Sequence, residues 1–134
     1  MKKIIRNDVV YAIYDHKASI EKTGSTWYGD NNQPLQASRM VYDGQKEFAT
    51  HMHILNERTV LRTQEAMVCV EGIAEIKVYD EYKNYLDTIV LEKGDIGIFY
   101  KGYHGLKILC NGTILYEIKC GHFTSVEQDK EYYE

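Results

Sequence analysis

Short apolar runs recur along this chain at nearly even spacing, with glycine-bearing turn signals between most of them. The runs occupy residues 35–42, 50–55, 66–70, 73–79, 86–91, 96–100, 106–110 and 113–120. The turn signals are Asp43-Gly44, Glu71-Gly72, Lys93-Gly94-Asp95 and Asn111-Gly112. Runs this short suit strands better than helices, and so many of them joined by tight turns predict an all-β chain, an antiparallel β-barrel or jelly roll. A single proline, ten glycines and twelve tyrosines among many Ile, Val and Thr residues point the same way.

The 134 residues fit a single domain with a core at about 35–120, an N-terminal strand or loop extension over 1–34 and a short charged tail. Residues 14–33 are polar, carry Gly24, Gly29 and Asn31-Asn32, and read as a long loop folded over one mouth of the barrel, anchored by Trp27 and Tyr28. A net charge of -4, with both signs mixed along the chain, supplies no basic stripe for a phosphate backbone and argues against nucleic acid. Cys69, Cys110 and Cys120 are odd in number, widely spaced and set in apolar runs, so they read as reduced core thiols of a cytoplasmic protein. The first residues lack the apolar stretch of a signal peptide, and no run approaches the roughly 20 residues of a membrane span.

Alternate residues of a strand share a face, so His51 and His53 project together, about 7 Å apart along the backbone. The same alternation puts Glu65 in line with Met67 and Cys69 on an inward face, and His104 in line with Leu106 and Ile108. These residues resemble the two motifs of the cupin superfamily, G-x5-HxH-x3,4-E-x6-G and G-x5-PxG-x2-H. His-Met-His supplies the HxH, and Glu65 is followed by six residues and then Gly72. Gly44 stands six residues before His51. An insert over residues 54–64 separates the HxH from Glu65. Tyr100 replaces the proline, and His104 falls one residue early after Gly102. Glu57, three residues after His53, satisfies the shorter spacing and competes with Glu65, which is preferred for its strand and for Gly72. The resemblance spans about residues 35–120. The stretch from Arg62 to Leu109 is further similar to small cupins that accompany surface-polysaccharide and nucleotide-sugar synthesis.

The resemblance implies a cupin-type barrel, or double-stranded β-helix, holding one divalent metal ion with His51, His53, Glu65 and His104. Three imidazoles and one carboxylate suit Fe, Mn, Ni, Co or Zn, and an octahedral ion held by them keeps two positions open. Lewis-acid isomerase or epimerase chemistry on a small polar substrate, a sugar or nucleotide sugar, follows from that set. An iron-dependent dioxygenase and a non-enzymatic sugar- or metal-binding regulatory module are the alternatives. Metal-free sugar isomerases of the same fold rely on a histidine base instead, a role open to His51 or His53.

Tyr100 and Tyr103 flank His104 and are expected at the pocket mouth, with Cys69 on the face of Glu65. His16 and His122 match no motif, and Arg39, Arg62 and Lys119 read as side chains on solvated faces. Met52 and Ile54 are apolar on the face opposite the histidines, where an exposed barrel wall would be polar. A partner subunit in a homodimer is expected to cover them, the alternative being a strand from the chain's own N-terminus.

Overall fold

The computed structural model describes residues 1–20 and 22–134, and they are all-β with antiparallel sheets. β1 (Lys2–Arg6) and β2 (Val9–Asp15) form a hairpin turned by Asn7 and Asp8, both at positive φ, a conformation that Asn and Asp tolerate best among non-glycine residues. After a 3-10 turn at Lys17–Ser19, β3 (Gly24–Tyr28) and β4 (Ala37–Val41) form a second hairpin. The remaining strands are β5 (Glu65–Glu71), β6 (Ile73–Tyr79), β7 (Tyr85–Glu92), β8 (Ile96–Phe99), β9 (Tyr103–Ile108) and β10 (Ile114–Lys119), followed by a single helical turn, α1 (Val126–Asp129).

One sheet runs in the order β1-β2-β8-β5-β10 and another in the order β7-β6-β9. They pack face to face. Ile4, Tyr11, Met67, Cys69 and Phe99 of the larger sheet meet Ile76, Val78, Ile89 and Leu91 of the smaller in one buried cluster. The strand period of two sends Ala66, Ile98 and Ile13 to the other face of the larger sheet, where Tyr28, Leu35 and Tyr100 cover them in a second cluster. Among the described residues the sheets do not close into a barrel. Among the described residues, β9 bonds only to β6 and β10 only to β5, so one edge of each is free.

Several sequence expectations shift here. The run at 50–55 forms no strand, because no sheet edge pairs with it. Residues 14–33 hold β3 rather than a bare loop. Tyr28 is buried beneath the larger sheet as an anchor, while Trp27 stays 62% exposed. Of the cysteines, Cys69 is buried, Cys120 half-buried and Cys110 exposed beside the turn between β9 and β10. Arg39 is not solvated: it is bound to the buried carboxylate of Asp15 at 2.7 Å, beside the Tyr28 hydroxyl. In the tail, Tyr133 packs on Tyr79 and Tyr103 of its own chain.

Candidate functional site

Glu65 opens β5 on the face of Met67 and Cys69, as alternation predicts, and points between the sheets. His104 comes from the opposite sheet, on β9 beside Val78. Gly102 makes the turn that delivers it: its φ is +78°, and a Cβ there would strike the carbonyl oxygen of Tyr79. Gly72, which closes the first motif, turns β5 into β6 at φ +81°. Both motif glycines are thus backbone requirements of the hairpins that carry the candidate ligands.

The two side chains meet. His104 Nε2 lies 2.8 Å from Oε2 of Glu65, and the His104 ring is stacked on Phe99 at 4.7 Å between centroids. Lys119 Nζ lies 3.3 Å from the other oxygen of Glu65 and 3.1 Å from Glu117. The hydrogen bond from His104, with a further one from Lys119, outweighs burial and holds the Glu65 carboxyl down at about 2. Glu65 is therefore a charged acceptor at neutral pH. Lys119 is the member that sequence reasoning left on a solvated face. Its placement follows from the pairing of Lys119 with Glu65 across β10 and β5, a long-range register that spacing does not reveal.

His51 and His53 are elsewhere. They share a face, with ring centroids 5.2 Å apart, but lie on an exposed arm that makes no strand. Glu57 lies on the same arm and is equally exposed. Two ligands at right angles on a divalent ion stand about 3 Å apart, so the spacing of Glu65 and His104 fits half of a donor set. Among the described residues, no three His, Cys, Asp or Glu side chains are placed together to hold a metal ion.

The pocket residues also separate. Tyr100 is buried in the cluster under the other face of the larger sheet, where burial raises its hydroxyl to about 12 and leaves it without a hydrogen-bond partner. Tyr103 neighbours His104 in sequence, so it faces the other way, against Tyr133. Cys69 does share the face of Glu65, but at the far end of β5. It is fully buried there, its thiol raised by burial and within 3.4 Å of the carbonyls of Glu71 and Gly72, so it reads as a core thiol. The inward positions that follow His104, Leu106 and Ile108, are 46% and 50% exposed, and among the described residues no strand pairs with the free edge of β9.

Compared with known proteins, the chain matches no family model, no curated protein and no solved structure. Among the described residues, no helix is long and apolar enough to cross a membrane.

Proposed function

We propose that this chain is a cupin-type jelly-roll protein that binds one divalent metal ion through Glu65 and His104 together with His51 and His53, and that it acts as an isomerase or epimerase on a small polar substrate such as a sugar or nucleotide sugar. The observation that carries the reading is the meeting of Glu65 and His104. They come from different sheets and from two separate motifs, yet stand 2.8 Å apart with the carboxylate ionised. A divalent ion held by these residues would supply Lewis-acid stabilisation of a substrate oxygen.

The chain's own residues contribute further. Lys119 brings a positive charge to the same carboxylate, where it would hold an anionic or hydroxyl-bearing substrate and favour negative charge developing on its oxygen. The buried faces of Met67 and Phe99 exclude water behind the pair.

A second reading follows from the hydrogen bond itself. A carboxylate that accepts from Nε2 of His104 leaves Nδ1 with the free lone pair, and a histidine so oriented is a general base. It would take a proton from a carbon next to a carbonyl and return it, which is isomerase or epimerase action without a metal.

Metal content of untagged protein, measured by plasma mass spectrometry after reconstitution with iron, manganese, nickel or zinc, separates the two. Near-stoichiometric metal that is lost in Glu65→Ala and kept in Glu57→Ala supports the first. No metal in the parent sinks it and leaves the histidine base, to be tested by proton exchange into nucleotide sugars in deuterated water. If the metal is iron, oxygen uptake distinguishes a dioxygenase; binding of sugars without turnover would mark a non-enzymatic module.

A further inference from the structure

Residues 42–62 are exposed without a break, and among the described residues none of them joins a sheet. Among the described residues, the arm's ties to the rest of the chain lie at its ends. Tyr42 bonds to Ser25 at one end, and Val60 lies beside Gly121 at the other. In between, His51 bonds to the carbonyl of Ala49 and packs on His53, contacts internal to the arm.

This is not the composition of a solvated loop. Met52, Ile54, Leu55 and Leu61 are 83%, 80%, 103% and 93% exposed. Strand alternation puts His51, His53 and Leu55 on one face and Met52 and Ile54 on the other. The body of the molecule has the matching deficit. β9 and β10 each present a free edge, with Leu106 and Ile108 exposed on the inward side of β9, and Tyr116 and Ile118 exposed on the outward side of β10. Glu65 and His104 lie at the ends of β5 and β9, beside those edges.

We infer that the arm of one copy enters the seam between β9 and β10 of a second copy, reciprocally, so that each metal centre is built from Glu65 and His104 of one chain and His51 and His53 of the other. The inference rests on the four-residue donor set proposed above. A strand seated there pairs its backbone with a free edge, turns the two imidazoles inward toward Glu65 and His104, and sets Leu55 on the side of Leu106 and Ile108. Its outward face is what selects a second copy over the chain's own arm. Folding back within one chain would leave Met52, Ile54, Tyr116 and Ile118 in water, whereas reciprocal exchange lays one subunit against the other over those side chains.

Complementation tests this. His51→Ala/His53→Ala and Glu65→Ala/His104→Ala chains, carrying different affinity tags, are co-expressed. The dimer bearing both tags is purified and loaded with zinc, and metal is counted against the parent and each homodimer. Exchange predicts that the parent is a dimer with two zinc ions, that each mutant homodimer has none, and that the mixed dimer regains one, because the intact arm of one chain meets the intact body of the other. A zinc-loaded parent whose mixed dimer stays empty overturns the exchange and leaves the donor set standing. A parent that is monomeric with one zinc does the same. A parent that binds no zinc, iron, manganese or nickel overturns the donor set, and the shared centre with it.

Discussion

β5 and the arm carry similar sequence. Gln64-Glu65-Ala66-Met67-Val68-Cys69 and Thr50-His51-Met52-His53-Ile54-Leu55 both set candidate ligands among apolar residues with strand alternation. One is a strand with a hydrogen-bonded neighbour on each side and both faces covered; the other has no neighbour and lies in water. What separates them is not propensity but the presence of an edge, since a strand's stability comes from cross-strand and face packing. Burying a Leu, Ile or Met side chain is worth about 1.5–3 kcal/mol, so Met52, Ile54, Leu55 and Leu61 together hold on the order of 10 kcal/mol of unrealised burial, an upper bound for a compact unfolded reference. That is as large as the net stability of an ordinary domain.

The difference is open to substitution. Ile98→Ala, at a fully buried position between β2 and β5, should cost about 2–5 kcal/mol in denaturant unfolding, whatever the protein concentration. A loss that grew on dilution would mean that the body depends on self-association. Gly102→Ala should cost about 1–3 kcal/mol, since it forces a side chain into positive φ against the Tyr79 carbonyl, and it should loosen His104 with it. An unchanged midpoint would show that the β8–β9 turn relaxes freely. Ile54→Asp belongs to the other region. It should leave the unfolding of the isolated body within about 0.5 kcal/mol of the parent and shift the sedimentation profile from dimer to monomer. If the oligomeric state does not move, the arm has no partner.

Much of the body was legible because its signals are local. The glycine turns and the period of two locate β4 to β10 to within a few residues, and they place Glu65 with Met67 and Cys69 on the inward face. β1 and β2 were legible only as a strand or loop extension because Asn7-Asp8 is a hairpin turn without glycine, and β3 escaped because its polar residues resemble a loop. Which side chains meet across the sheets was less legible. Lys119 joins Glu65 through the β5–β10 register, and Tyr100 goes to the opposite face because it follows Ile98 by two. The Lys119 contact depends on a pairing far apart in sequence. The arm is the extreme case: its histidines have the alternation of a strand, yet among the described residues the arm pairs with no strand of its own chain.

The smallest effect expected lies at Tyr100. Its folded pKa, about 12, is raised above the ordinary value near 10 by burial, so its ionisation costs stability: stability is unaffected by this group below about pH 10 and falls as pH rises from 10 through 12. Tyr100→Phe removes a hydroxyl that has no hydrogen-bond partner. It should therefore change stability little at pH 7, flatten the decline between pH 10 and 12 in a thermal-melt series, and leave metal content untouched. Loss of metal would return Tyr100 to the pocket.

The most direct measurement is native mass spectrometry of the zinc-reconstituted parent chain. A dimer carrying two zinc ions, falling to none in Glu65→Ala, is the expected result. A monomer that carries no metal after loading with zinc, iron, manganese or nickel would contradict both the donor set and the shared centre.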